Sequence, residues 1–155
     1  MTSHAVKLSF PAKTEFLLLP RLALTGVARA CPMSEATLAD LKLAVTEACG
    51  NAVRHAYDDD EGSVRVEIAF DAGTIRITVE DDGYGLPSAR AWEAPPMTPD
   101  GLVASANEGG MGLSIIKTIA DELEISPVPN AERGTRVVFT KSLEEPDPGS
   151  PAPLS

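Results

Sequence analysis

The sequence predicts an α+β fold, a two-layer sandwich with helices on one face of a mixed, mostly antiparallel sheet. Three observations predict it. The chain has 155 residues, the usual length of one domain built around one core. Two neighbouring segments near its middle alternate apolar and polar residues at a period of two, as half-buried strands do. Apolar residues at helical spacing stand on either side of that pair, and the full order reads βααββαβ, the pattern of an α+β sandwich.

Each element has its own signal. Ala5 to Phe10 alternates and stops at Pro11, as an edge strand does. From about Glu15 to Ala30, Phe16, Leu19, Ala23 and Val27 recur at helical spacing, with Pro20 near the first turn or at a kink. Ser34 is a candidate N-cap for a longer helix running to about Tyr57, with a core stripe of Leu38, Leu41, Val45, Ala48 and Ala52. Val64, Val66, Ile68 and Phe70 then alternate, as do Ile75, Ile77 and Val79, and Asp71-Ala72-Gly73 supplies the turn of a hairpin. Four prolines and several glycines break every period over 86–110, and a loop of roughly 25 residues in a compact domain is usually functional, a lid for example. A third helix is predicted over about Gly112–Leu123 and a last strand over Thr135–Thr140. Residues 1–143 form the domain; the tail 144–155 is acidic and rich in proline, the composition of a disordered segment.

Composition narrows the function. With 13 Lys+Arg against 23 Asp+Glu the net charge is −10, which argues against binding nucleic acid directly, since that needs a basic surface to replace phosphate counterions. The acidity is local: Asp58–Glu61 and the acids of the tail account for most of the excess. Cys31 and Cys49 show no metal-ligand spacing and read as reduced thiols, Cys49 within a helix as a small buried hydrophobe. No basic leader with an apolar stretch and no membrane-length apolar run is present, so a soluble, cytoplasmic protein without a membrane partner is expected.

Three clusters carry possible chemistry. Glu47 and Asn51 stand one turn apart on the second helix, so a carboxylate and an amide oxygen share a face that suits a hard cation and a hydroxyl to be activated. An exposed polar stripe would read the same way. Asp81-Asp82-Gly83-Tyr84-Gly85 follows a strand, where glycines let backbone approach a ligand and an aspartate accepts hydrogen bonds from an exocyclic amine; a plain turn is the alternative. Gly109-Gly110-Met111-Gly112-Leu113 precedes a helix, whose first N–H groups form an anion site or merely a hinge and cap.

In this order, with Gly134-Thr135 after them, the clusters resemble the N box, the two glycine boxes and the closing Gly-Thr of the Bergerat-fold (histidine-kinase-like) ATPase superfamily. Within it, the stretches from Phe10 to Ala28 and from Leu41 to Tyr57 are similar to the bacterial anti-sigma-factor serine/threonine-protein kinases, and Glu108 before the second glycine box is similar to the general-stress branch. The resemblance covers about residues 5–141. It implies ATP and Mg²⁺ as cofactors, with Asp81 on the adenine amine assisted through water by Thr135, and Asn51 on the metal. It also implies backbone of Gly83, Gly85, Gly110, Met111, Gly112 and Leu113 around the nucleotide, residues 86–108 closing as a lid, and Glu47 as general base toward a serine hydroxyl. The implied partners are a STAS-fold anti-anti-sigma protein as substrate, an alternative sigma factor that is sequestered, and a second copy in a homodimer, with Arg21 at a partner interface. A nucleotide-dependent binding switch without useful kinase activity is the competing reading. A detached histidine-kinase domain ranks lower, because the residues before Glu47 are too few for a phosphoacceptor helix pair.

Overall fold

A computed structural model describes residues 4–56, 62–71, 73–82, 108–131 and 134–143. The strands are β1 (His4–Pro11), β2 (Ser63–Phe70), β3 (Thr74–Asp81), β4 (Glu122–Pro127) and β5 (Thr135–Ser142), and the helices α1 (Leu18–Ala30), α2 (Glu35–Ala56) and α3 (Glu108–Ile119). They form one sheet in the order β1-β2-β3-β5-β4. Every pairing is antiparallel, so the α+β sandwich stands while the mixed sheet expected from sequence does not.

Alternation along the central strands puts Val64, Val66, Ile68, Ile75, Ile77, Val79 and Phe139 in the core. Leu24, Leu41, Ala44, Val45, Ala48, Cys49 and Ile116 close over them from the helices. The opposite sheet face carries Lys7, Arg65 and Glu67 among other polar residues, with Lys7 and Glu67 paired across β1 and β2 at 3.6 Å. All three helices therefore lie on one side. α2 is the centre of that layer, touching α1, α3, β2 and β3.

Local chemistry explains the boundaries. The Ser34 hydroxyl caps α2, accepting the Thr37 N–H at 3.1 Å, one of the helix's otherwise unpaired donors. Pro20 sits in the first turn of α1, where its missing N–H breaks no helical bond; the helix is preceded by a separate 3-10 turn at Thr14–Phe16 instead of starting at Glu15. Asp71 Oδ1 accepts from the N–H groups of Gly73 and Thr74 at 2.9 and 3.0 Å and shapes the β2–β3 turn.

One element departs from expectation. The third helix begins at Glu108 and ends at Ile119, and residues 122–127, read as helix end and loop, form a fifth strand. Leu113, Ile116, Ala120 and Leu123 keep helical spacing, whereas Leu123 and Ile125 also keep strand spacing, so Leu123 satisfies both periods. The sheet decides between them. Ala120 N–H makes the last helical bond, to Ile116 O at 2.8 Å, and the next N–H, of Asp121, already donates to Thr140 O of β5 at 2.9 Å. The Asp121 carboxylate accepts from Ser142 N–H at 2.6 Å and secures the junction.

Candidate functional site

The N-box residues lie on α2, whose inner stripe of Leu41, Ala44, Val45, Ala48, Cys49 and Ala52 is buried against the sheet and α3. Glu47 and Asn51 border that stripe one turn apart, and both are half-buried. They are thus not the fully solvated polar stripe that periodicity alone allowed. Gly50 between them is buried, which accounts for a residue costing roughly 1 kcal/mol in a helix interior. Cys49 is completely buried, and burial pushes its thiol up to about 12, so it is packing material.

Asp81 ends β3 and is 7% exposed. Alternation along β3 puts it on the helix-covered side with Ile75, Ile77 and Val79. It pairs across the sheet with Val64, and on the other side the chain comes unusually close. Gly134 has φ +118, and a Cβ there would stand 2.3 Å from Asp81 O and 2.9 Å from Val128 Cγ2. Only glycine gives both that backbone angle and that approach. Thr135 follows at the start of β5, half-buried. The β3–β5 register runs as far as Glu80 opposite Arg136, and its continuation sets Thr135 level with Asp81.

The neighbouring Asp82 points elsewhere. The Arg65 guanidinium donates to its Oδ1 and the Ser63 hydroxyl to its Oδ2, the latter at 2.9 Å. Partial burial disfavours the charge, but the bonds from Arg65 and Ser63 and the positive charge of Arg65 outweigh it, so the carboxyl titrates below its usual value. Two adjacent aspartates thus have different tasks: one is enclosed on the helix side, the other tied to β2. Sequence reading missed Ser63 and Arg65, since pairing across strands joins residues 17 and 19 positions apart. Their signal lies in the hairpin register, which flanks Val64 with them opposite the end of β3.

Gly110, Met111 and Gly112 lie within α3, and the half-buried Leu113 follows them. The second glycine box therefore belongs to the start of the helix and does not precede it. N–H groups of a helix's first turn have no carbonyl partner within the helix, and with α3 starting at Glu108 that turn takes in Gly109 and Gly110 but not Gly112 and Leu113. Gly83 and Gly85, most of the proposed lid and the acidic tail lie outside the described residues. Arg21 is exposed on α1. Leu18 and Leu22 occupy the same helix face, each 55% exposed.

Comparison with known proteins bears on the family and the fold. Residues 10–141 match the family described as the histidine kinase-like ATPase domain. Serine-protein kinase RsbW of Bacillus velezensis is 34% identical over 140 residues, covering 89% of this chain and 85% of that protein. The RsbW of Bacillus pumilus is 36% identical over 146 residues, covering 92% and 88%. Among solved structures, the RsbU and RsbW domains of a Mycobacterium tuberculosis protein superpose with a TM-score of 0.60 at 19% identity, covering 98% of this chain and 34% of that one. The catalytic domain of the histidine kinase ThkA gives 0.53 at 15% identity, covering 91% and 97%; these two likenesses concern the fold.

Proposed function

This chain belongs to the histidine kinase-like ATPase domain family and is a protein-serine kinase of it, and on that premise we propose that it is also an anti-sigma factor. In this reading it transfers the γ-phosphate of ATP to a serine of a STAS-type anti-anti-sigma protein and sequesters an alternative sigma factor. The observation that carries the nucleotide site is the enclosed Asp81 carboxylate with the Gly134 backbone against its carbonyl. The carboxylate accepts the adenine amine, with Thr135 beside it, and the missing Cβ lets the Gly134 backbone pack against the end of β3.

The described donors fit a magnesium nucleotide. Asn51 offers an amide oxygen, a hard ligand, and Mg²⁺ characteristically takes one or two protein oxygens with phosphates and water completing its shell. Bound there, the metal would neutralise charge on the phosphates. N–H groups at the start of α3 supply a further positive field, helped by the helix dipole.

Glu47, one turn before Asn51, accepts the proton of the substrate serine. The hydroxyl oxygen bonds to the γ-phosphorus as the bond to the β–γ bridging oxygen breaks, and ADP leaves with that electron pair. Positioning and electrostatics supply most of the catalysis in phosphoryl transfer, so one carboxylate, one metal ligand and a set of amides suffice.

Exposed Leu18, Leu19 and Leu22 with Arg21 on α1 support a macromolecular partner on that helix. We assign the surface to the sigma factor and to a second copy in a homodimer. No helix among the described residues is long and apolar enough to cross a membrane, which accords with work in the cytoplasm.

The test is transfer of labelled γ-phosphate from Mg·ATP to the STAS protein of the same genome. Glu47→Ala should retain ATP binding and lose at least ~10²-fold in transfer. Persistent transfer in that variant removes Glu47 as base. A wild type that holds a sigma factor yet phosphorylates no STAS protein is instead a nucleotide-dependent switch.

A further inference from the structure

The geometry points to Arg65 and Ser63 as positioning residues for nucleotide recognition: by gripping both oxygens of Asp82 they fix the end of β3 so that Asp81, and not its neighbour, faces the base. This rests on the nucleotide site proposed above. Side chains alternate along a strand, so a slip of one residue would exchange the two aspartates between the faces of the sheet. Each carries the same carboxylate, and residue chemistry cannot choose between them.

The choice comes from β2. Val64 pairs with Asp81, and the residues on either side of Val64, Ser63 and Arg65, reach Asp82 on the opposite face. Each carboxylate oxygen takes one of the two donors, which fixes the plane of the group as well as its position. Gly134 closes the arrangement by packing its backbone against Asp81 O. The strand end is held from β2 and from the residue before β5, at the two aspartates that open the first glycine box.

Loosening the grip should therefore cost base recognition more than general nucleotide affinity. Titrating the full chain with Mg·ATP and with Mg·GTP gives the ratio of the two dissociation constants. Arg65→Ala should weaken ATP about tenfold, the scale of a lost charged hydrogen bond, while GTP changes little, so the preference for adenine falls by the same factor. Arg65→Lys keeps a charged donor and should recover part of it. Ser63→Ala should shift the ratio in the same direction by about two- to threefold. Because the grip works through Asp82, Arg65→Ala combined with Asp82→Ala should be no worse than Asp82→Ala alone.

A merely structural role would lower the fraction of competent protein and weaken both nucleotides alike, leaving the ratio untouched; that result, or additive losses in the double variant, overturns the assignment. If Arg65→Ala does not fold by circular dichroism, Ser63→Ala decides the matter by itself. A folded wild type that binds neither nucleotide sinks the nucleotide site and this inference together, whereas a wild type that prefers ATP beside variants of unchanged ratio sinks only the inference.

Discussion

The two faces of the sheet hold together by different physics. The helix-covered face is made of aliphatic residues such as Ile68, Ile75 and Ile77 with 1% exposure or less. The open face is held by ion pairs in contact with water, Lys7 with Glu67 and Arg65 with Asp82. Burial at about 25 cal/mol per Å² of apolar surface far exceeds what exposed ion pairs contribute, whose median is about 0–1 kcal/mol. The covered face therefore supplies stability and the open face supplies placement. They meet at the end of β3, where Asp81 belongs to the first and Asp82 to the second.

Breaking the covered face should have the largest effect. Ile77→Ala removes a fully buried side chain from a central strand and should cost about 2–5 kcal/mol, read from the shift in urea midpoint. A loss below about 1 kcal/mol would mean that the core relaxes around the gap, and the contrast between the faces would weaken.

Gly134→Ala attacks the boundary between them. The added methyl meets Asp81 O and the backbone angle is unfavourable for any other residue, so a stability loss of about 1–3 kcal/mol is expected. The loss in ATP affinity should exceed that explained by unfolding. Calorimetric titration at a temperature where the variant is fully folded separates the two effects.

The open face gives the smallest effect and a pH signature. Folding lowers the Asp82 pKa below its usual 3.8, so its ionised form is favoured in the folded state. That contribution is complete above the unfolded value and disappears as pH falls through the folded one. The stability difference between wild type and Asp82→Asn should be constant near neutrality and shrink below about pH 4. A difference that grows on acidification would contradict the ion pair.

Much of this was legible in one sequence because the deciding interactions are local. The β2–β3 hairpin needed only alternation and an Asp-Ala-Gly turn, and α2 needed only Ser34 and a stripe of small and aliphatic residues. The polar positions on α2 followed from a spacing of four. What escaped depended on distant partners. β4 escaped because Leu123 fits two periods and β5 chooses between them. The grip on Asp82 escaped because Ser63 and Arg65 are remote in the chain. In the glycine cluster at 109–113 the helix start was misplaced, since a run of glycine lowers helix propensity without preventing the first turn.

The Asp121 junction has a mechanical consequence for α3. The helix is fastened at its C-terminal end, where sheet bonds to Thr140 and Ser142 begin immediately after its last turn, and its glycines lie at the other end. Twelve residues make a rod about 18 Å long, and a tilt of about 5° around the fastened end moves the far end by about 1.5 Å over that length. That is about half the length of a hydrogen bond. The residue that ends the helix therefore also sets how the helix stands against β5, at the opposite end from its glycines.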